Sequence, residues 1–218
     1  MLEVLKEFHP ESRWIVVCEP SPVVSLQQNF EPNDQILTVE RPANRTNFGY
    51  ALQLGINQIS SSDDVVVFLD ADGSHDPSQI REMLSYLHLD RSLDVVISSR
   101  YIPGGMSDNS GHLRLMSRAL NLAFSLALGL KINDCSNNFK AFRADLLRGS
   151  VISARTFEAV EELLVIATEK KRSKLNILEI PGHFHERQAG ISKRKLLQFI
   201  GMYLGSFVGY AKRMRKFA

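Results

Sequence analysis

The sequence predicts an α/β fold with a mostly parallel, doubly wound sheet. Short apolar segments of strand composition alternate along the chain with longer segments whose apolar residues recur at helical spacing. The run from Val65 to Leu69 is apolar without alternation, which predicts a strand buried on both faces. Asp70 and Asp72 follow it directly, at the strand end where open α/β sheets bind ligands. Two such carboxylates attract a hard divalent cation that is usually shared with substrate phosphates.

The predicted elements follow one another in a regular order. Strands are expected at 14–17, 35–39, 65–69, 94–98, 139–142 and 175–180, those at 14–17 and 94–98 being buried. Helices are expected at 2–8, 50–60, 77–89, 113–130, 156–167 and 196–211, with a helical turn at 25–30. Asp76 and Pro77 predict the start of the third helix, because a carboxylate caps a helix and proline suits its first turn. Polar loops at 100–111 and 183–193 are long enough to carry function.

Composition indicates one globular domain of 218 residues, with 44% hydrophobic and 23% charged residues. Cys18 and Cys135 lie far apart without metal-binding spacing, which predicts two packed thiols in a reducing compartment. The charged start of the chain predicts no signal peptide. No run reaches the roughly 18 apolar residues of a membrane-spanning helix.

The formal charge of +2 is unevenly distributed. Residues 187–218 contain eight basic residues and no acidic one, so the rest of the chain carries a net charge of −6. This asymmetry predicts that the C-terminal segment meets an anionic surface. The helix at 196–211 is about 24 Å long, short of a ~30 Å hydrocarbon core. An interfacial helix is favoured; the alternatives are a core-packed helix and a helix paired within the membrane through Gly201, Gly205 and Gly209.

Several motif classes are absent from the sequence. It contains no G-x-G-x-x-G or G-x-x-x-x-G-K-[ST] phosphate loop and no G-x-S-x-G motif, so a nucleotide would be held through a metal on Asp70 and Asp72. His183 and His185 face the same side of an extended segment and could bind metal, but no other His or Cys converges on them in sequence. Their interpretation as metal ligands is therefore the less favoured one.

Other polar residues are candidates for the same site. Asp134 is either a turn residue or a second carboxylate or hydrogen-bond partner near the site. Glu162 lies in an otherwise apolar helix, where a solvated helix face is the favoured interpretation. Candidate anion-binding residues are cationic side chains in or beside the polar loops: Arg100, Arg114, Arg118, Arg187 and Lys193.

Five stretches together identify a family. They are NFGYALQLGI (47–56), VVVFLDADGSHDP (65–77), SRYIPGG (99–105), NDCSNNFKAFR (133–143) and FHERQAGISK (184–193). In this order and spacing the chain resembles the family 2 glycosyltransferases, specifically the dolichol/polyprenol-phosphate mannosyltransferase (synthase) branch. The last stretch, as F-x-x-R-x-x-G-x-S-K, is the most specific for this branch. The resemblance covers the chain from about Trp14 to Tyr210.

The resemblance implies a GT-A type fold and a metal-dependent transfer of a hexose. The donor would be a nucleotide sugar such as GDP-mannose or UDP-glucose, and the acceptor a polyprenyl phosphate, with inversion at the sugar. Asp70 and Asp72 would be the D-x-D pair that holds Mg²⁺ or Mn²⁺. The implied catalytic set is Asp70, Asp72, Asp134 and Arg187; the donor set is Glu19, Asp70, Ala71, Asp72 and Arg100; the acceptor-phosphate set is Arg100, Arg114, Arg187, Ser192 and Lys193.

The chain departs from the family pattern in three places. The family's first strand, ending in a P-x-Y-N-E-like segment, is expected to be missing, and the usual Asp-Asp-Gly-Ser-like turn is replaced by residues 18–21, where only Glu19 is acidic. Asn137 and Asn138 stand where small Ser or Thr and Gly are usual. We therefore expect a truncated catalytic domain at 1–186, and a basic amphipathic segment at 187–218 that associates with the cytoplasmic face of a membrane.

Two alternatives to this function remain open. The chain could be an inactive nucleotide-sugar or lipid-phosphate binding module that acts through a partner, which could be a membrane protein. It could also be a transferase acting on a sugar hydroxyl, which needs a carboxylate base, and Asp134 is the only good candidate. Nucleic acid is not an expected partner.

Overall fold

The computed structural model describes residues 12–19, 36–45, 47–186 and 196–217, without the side chains of 196–204. The strands are β1 (Trp14–Cys18), β2 (Ile36–Glu40), β3 (Val65–Phe68), β4 (Val95–Ser99), β5 (Met106–Ser107), β6 (Lys140–Arg143), β7 (Ile177–Pro181) and β8 (His183–Phe184). The α-helices are α1 (Phe48–Ile56), α2 (Ile80–Leu89), α3 (Gly111–Leu128), α4 (Ala159–Lys171) and α5 (Leu196–Met214). Short 3₁₀ turns cover Pro77–Gln79 and Ala144–Leu146.

The central sheet is mixed, in the order β3-β6-β4-β7. Strands β4 and β7 are parallel, whereas β6 runs antiparallel to both β3 and β4. Two further pairs, β1-β2 and β5-β8, are parallel. Because β6 is reversed, the turn that precedes it meets the edge where β3 and β4 end. The predicted α/β fold is confirmed, and this inserted strand is what brings the residues before Lys140 to the site.

The predicted elements match the observed ones with shifted ends. The helix predicted at 50–60 ends at Ile56, where two hydrogen-bonded turns follow. The helix predicted from Thr156 begins at Ala159, and the first turn of the helix predicted at 77–89 is a 3₁₀ turn. The predicted helix at 2–8 and the helical turn at 25–30 lie outside the described residues.

Helices cover both faces of the sheet, as the doubly wound prediction requires. Val95 and Ile97 point into a core formed with α1, α3, α4 and α5, whereas Val96 points into a second core formed with α2. Successive strand residues face opposite sides, so β4 is buried on both faces. The same prediction is wrong for β3: residues 65–67 are half-buried, because β3 is the edge strand of this sheet in the described part of the chain. Strand β1 is also half-buried rather than buried.

Helix α4 is buried on every side from Ala159 to Thr168. The interpretation of Glu162 as a solvated residue is therefore wrong. Its carboxylate accepts hydrogen bonds from the backbone N–H groups of Ser153 (3.0 Å) and Ala154 (2.7 Å) and pairs with Arg213 (2.8 Å). The helix packs against α5 and within the larger core, so a charge on it needs partners within the protein.

The C-terminal half of α5 packs into the protein. Tyr210 and Met214 are each 5% exposed and belong to the larger core. The Tyr210 hydroxyl donates to the backbone carbonyl of Glu158 (3.2 Å), and Arg213 binds Glu169 as well as Glu162. This half of the helix thus matches the core-packed alternative. Among the described helices, none is long and apolar enough to span a lipid bilayer.

Truncating Met214 to alanine is expected to lower the free energy of unfolding by about 2–5 kcal/mol, because it opens a cavity where α5 meets the core. Val208→Ala on the same helix is the matched control, since Val208 is 54% exposed; its effect should stay within about 0.5 kcal/mol. Urea unfolding measures both. Equal effects of the two substitutions would show that α5 is not docked as described.

Candidate active site

The D-x-D carboxylates lie on a tight turn at the carboxyl end of β3. The turn includes Gly73, whose φ of 83° lies in the left-handed region that glycine adopts without strain. Asp72 Oδ1 accepts from the backbone N–H (3.1 Å) and the hydroxyl (2.5 Å) of Ser74. Asp70 Oδ1 accepts from Asn138 Nδ2 (3.0 Å). Both carboxylates are half-buried, so they are held in place while they remain open to solvent.

The buried side chain of His75 holds this turn in place. It is 3% exposed, and its Nδ1 accepts from the backbone N–H of Asp70 (3.0 Å). The proton therefore lies on Nε2, which donates to Asn137 Oδ1 (2.9 Å). Burial lowers the pKa of His75 and keeps the ring neutral. His75 was not among the site residues predicted from the sequence; the available indication was a histidine within an otherwise acidic turn.

The stability of the protein in EDTA is expected to decrease below about pH 6.5. The pKa of folded His75 lies below its ordinary value, so in that range the unfolded state takes up a proton that the folded state does not. The loss is at most about 1.4 kcal/mol per pH unit. Urea midpoints between pH 7.5 and 5.5 measure it. His75→Gln should not show this loss of stability at low pH, and His88→Gln should still show it. Identical pH dependence of stability in the wild type and both variants would contradict the assignment of the loss to His75.

Arg100 and Asp134 form a buried bidentate ion pair. Nε and an Nη of Arg100 donate to the two oxygens of Asp134, each at 2.7 Å, and the Arg100 backbone N–H adds a bond of 3.0 Å. The two side chains are 8% and 0% exposed. Asp134 also accepts from the backbone N–H of Asn137 (3.1 Å). The Asp134 charge keeps the pKa of Arg100 above its ordinary value despite burial.

One hydrogen-bonded path joins the two parts of the site. It runs from Asp70 through His75 and Asn137 to Asp134, and from there to Arg100. The D-x-D turn and the arginine are therefore held in one rigid arrangement. Asn137 supplies both middle links, with its side-chain oxygen and its backbone N–H, and the sequence showed it only as an unusual residue at this position.

Glu179 of β7 anchors the turn that carries Asp134. Its carboxylate accepts from the backbone N–H groups of Asn133 (2.8 Å) and Asp134 (2.9 Å) and from the hydroxyl of Ser99 (2.7 Å). It thereby connects β4, β7 and the turn in one set of hydrogen bonds. Glu179 is a positioning residue that was not predicted from the sequence, because a single glutamate in a strand belongs to no motif.

Lys140 and Glu161 are two fully buried ionisable residues near the same turn. Lys140 Nζ donates to the backbone carbonyls of Cys135 (2.9 Å) and Asn137. Burial lowers the pKa of Lys140 to about 8 and raises the pKa of Glu161 to about 8. Cys135 is a buried free thiol whose pKa is raised by burial. Cys18 is also free, as predicted.

Arg100 lines a cavity of about 810 Å³. Its lining joins the loop after β4 to α3 and comprises Arg100, Tyr101, Ile102, Pro103, Gly105, Met106, Ser107, Asp108, Gly111, Arg114, Leu115, Arg118 and His183. The guanidinium groups of Arg100 and Arg118 lie 5.0 and 5.5 Å from the Tyr101 ring centroid. Arg114 and Arg118 are exposed on α3. Three arginines on one cavity suit an anionic ligand such as a phosphate.

The remaining predicted residues are placed as follows. Glu19 is exposed at the carboxyl end of β1 and pairs with Arg41 (2.7 Å). Ala71 is exposed between the two carboxylates. Arg187, Ser192 and Lys193 lie outside the described residues. The roles of these residues, and the catalytic role of Asp134, stay predictions.

Comparison with known proteins places this geometry among glycosyltransferases. Residues 3–149 match the protein family described as Glycosyl transferase family 2. The chain is 32% identical over 193 residues to an undecaprenyl-phosphate mannosyltransferase of Micrococcus luteus, covering 87% of this chain and 78% of that protein. It is 32% identical over 130 residues to a polyprenol monophosphomannose synthase of Mycolicibacterium smegmatis, covering 59% and 48%. With a dolichol-phosphate mannosyltransferase of Pyrococcus furiosus it shares 31% identity over 138 residues, covering 62% and 37%.

Solved structures share the fold at low identity. A mycobacterial protein superposes with a TM-score of 0.64 at 18% identity, covering 96% of this chain and 69% of that one. Glucosyl-3-phosphoglycerate synthase from Mycobacterium tuberculosis, in complex with Mn²⁺ and UDP-glucose, superposes with a TM-score of 0.56 at 16% identity, covering 98% and 83%. This likeness confirms the predicted GT-A type fold.

Proposed function

Because the chain belongs to glycosyl transferase family 2 and is a glycosyltransferase, we propose that it transfers a hexose from a nucleotide sugar to a polyprenyl phosphate with inversion. The observation that carries this proposal is the hydrogen-bonded path from the D-x-D turn to Arg100 and its cavity. It links the D-x-D turn, which we assign to the donor diphosphate, to Arg100, which we assign to the acceptor phosphate. The names of the relatives, which act on undecaprenyl, polyprenol and dolichol phosphates, support the same acceptor class.

Asp70 and Asp72 are the residues that would hold Mg²⁺ or Mn²⁺. Their carboxylates supply oxygen ligands, which these hard cations take in proteins, and both remain open to solvent at the strand end. The chemistry that such a metal would supply when bound is neutralisation of the charge on the leaving diphosphate. His75 and Asn138 hold Asp70 in place, while Ser74 holds Asp72. We place Ala71 and Glu19 on the donor side of the same site.

Arg100 would bind a substrate phosphate from a fixed position. Its guanidinium is already oriented by Asp134, so little side-chain entropy is lost when a second anion binds. Exposed Arg114 and Arg118 offer further charge at the cavity. An acceptor phosphate is already anionic at pH 7 and needs no strong general base, so the chemistry depends on positioning and charge. We place Arg187, Ser192 and Lys193 at the acceptor phosphate.

The alternative acceptor, a sugar hydroxyl, is less well supported. It needs a carboxylate that takes up a proton, and Asp134 was the candidate. Asp134 is fully buried and already accepts two hydrogen bonds from the Arg100 side chain and two from backbone N–H groups. Each of its oxygens already accepts two hydrogen bonds, and neither is exposed to a substrate hydroxyl, which favours the phosphate acceptor.

Radiolabelled GDP-mannose or UDP-glucose, a polyprenyl phosphate and Mg²⁺ or Mn²⁺ test the proposal. Label transferred to the lipid phase, and absent with the polyprenol that lacks a phosphate, is expected. Transfer to the free polyprenol would favour a hydroxyl acceptor instead. Donor binding without product for any donor would indicate an inactive binding module.

We also propose that the protein works at the cytoplasmic face of a membrane, where its lipid acceptor would lie. The supporting observation is the exposed basic surface of the C-terminal segment, residues Lys212, Arg215 and Lys216. In this arrangement the catalytic domain would comprise residues 1–186. The segment at 187–218 would contact lipid, while the last turns of its helix pack against the catalytic domain.

Exchanging Lys212, Arg215 and Lys216 for glutamine is expected to reduce the binding of the protein to anionic liposomes. Each lost charge removes about 1 kcal/mol of attraction to an anionic surface. The three residues are exposed, so the fold should be retained. Co-sedimentation measures binding. The matched control exchanges three exposed basic residues elsewhere, Arg81, Arg91 and Lys174; equal losses in both variants would contradict a specific membrane face.

A further inference from the structure

Two histidines and an aspartate converge beside the cavity. His183 and His185 flank Phe184 at the end of β8, and Asp108 follows β5, its parallel partner strand. One ligand atom from each of the three side chains lies within 4.8 Å of the others. Asp108 Oδ1 lies 2.7 Å from His183 Nε2, and Asp108 Oδ2 lies 3.7 Å from His185 Nδ1.

The backbone holds this cluster in place. Asp108 N–H donates to the Phe184 carbonyl (3.0 Å), and Glu186 N–H donates to Asp108 Oδ2 (3.1 Å). His185 N–H donates to the Ser74 carbonyl (2.9 Å). The imidazole centroids are 3.9 Å apart. An imidazole nitrogen is the commonest metal ligand among protein side chains, so the two rings offer two such ligands side by side.

We propose that Asp108, His183 and His185 form a binding site for a divalent transition-metal ion, with zinc as the best match. Ligands at 2.0–2.2 Å around a tetrahedral zinc lie about 3.4 Å from one another. The observed distances of 2.7 and 3.7 Å from Asp108 to the two imidazoles lie on either side of this value. Two imidazoles and a carboxylate suit zinc, cobalt or nickel, whereas Mg²⁺ takes oxygen ligands.

This cluster adjoins the D-x-D turn through the bond from His185 N–H to the Ser74 carbonyl, but it is a different set of ligands. It shares no residue with Asp70 and Asp72, and it has nitrogen ligands where they have only oxygen. Three protein ligands leave a fourth position of a tetrahedral ion open. Asp108 and His183 both line the cavity that contains Arg100. We therefore assign the fourth ligand to a water molecule, or to an oxygen of a phosphate that enters this cavity.

Cobalt titration of the full chain, without a histidine tag and after treatment with EDTA, tests the site. Excess Mg²⁺ is kept present to occupy the D-x-D carboxylates, and the visible absorption of Co²⁺ reports nitrogen coordination. The variants are His183→Gln, His185→Gln and Asp108→Asn. The matched control is His88→Gln, because His88 is an exposed histidine on α2. The double variant Asp70→Asn/Asp72→Asn removes the other site.

One Co²⁺ per chain, displaced by Zn²⁺, is expected for the wild type, for His88→Gln and for the D-x-D double variant. The three cluster variants should each lose at least about 10-fold in Co²⁺ affinity, since even the loss of an outer-shell partner can cost that much. Wild-type affinity in any of the three cluster variants would overturn the proposal. So would loss of the cobalt spectrum in the D-x-D double variant. If one of these three variants binds Co²⁺ normally but unfolds at a lower temperature, the three side chains only stabilise the contact between β5 and β8.

Discussion

Replacing Asp72 with asparagine is expected to lower the rate of sugar transfer by about 1,000-fold. Asparagine has the same size and can still accept the hydrogen bond from the Ser74 backbone N–H, but it removes a charge that would hold the metal on the donor diphosphate. A metal ion contributes several kcal/mol of charge stabilisation in the transition state, and a loss of roughly 4 kcal/mol corresponds to this factor. Asp70→Asn should have an effect of the same order.

The matched control is Asp76→Asn, in the same loop. Asp76 is exposed and caps the 3₁₀ turn by accepting from the Ser78 N–H, a function that asparagine performs equally well. Transfer of labelled sugar at saturating Mg²⁺ or Mn²⁺ measures all three variants. Near-normal rates for Asp72→Asn, or equal losses for Asp72→Asn and Asp76→Asn, would contradict the assignment of the metal to the D-x-D pair.

Asp134→Asn is expected to lower the free energy of unfolding by about 3–5 kcal/mol, because it leaves the buried Arg100 guanidinium without its counter-charge. Asp134 is fully buried, and Arg100 is 8% exposed. Asparagine also has only one acceptor oxygen, so one of the paired bonds from Arg100 is lost. Urea unfolding at pH 7 measures the change.

The surface pair of Arg13 and Asp63 provides the control. Its N–O distance of 2.6 Å matches the buried pair, but its side chains are 36% and 23% exposed, so Asp63→Asn should cost less than about 1 kcal/mol. Equal losses for the two variants would contradict a structural role for the buried pair. Turnover per folded molecule gives a second readout: normal turnover in Asp134→Asn would exclude Asp134 as a catalytic base.

The recurring elements of the fold could be predicted because their determinants are local. Apolar periodicity, the Asp76-Pro77 helix start and the uninterrupted apolar runs each lie within a few residues of the element they specify. The candidate metal pair could be located for the same reason, since Asp70 and Asp72 directly follow a recognisable strand. Burial could be predicted less well, as β3 shows, because it depends on which strand lies beside it.

Partners distant in sequence could not be predicted. The ion pair of Arg100 and Asp134 spans 34 positions, and the bond of His75 to Asn137 spans 62. Glu162 was assigned to solvent because nothing near it in sequence shows that Arg213, 51 positions away, lies against it. The same holds for Asp108, which brings a third ligand to two histidines 75 and 77 positions later.

The sequence by itself determined the α/β class, the order of the longer strands and helices, the D-x-D pair at a strand end and the family resemblance, whereas the short strands β5 and β8 lie in segments that were predicted as loops. The tertiary structure decided how these parts form a site. The reversed strand β6 carries the turn of Asp134 to Asn138 to the edge where β3 and β4 end, which joins the D-x-D turn to Arg100. The physical reason is that a strand's direction in a sheet depends on its pairing with distant segments, and that pairing leaves no trace in local periodicity.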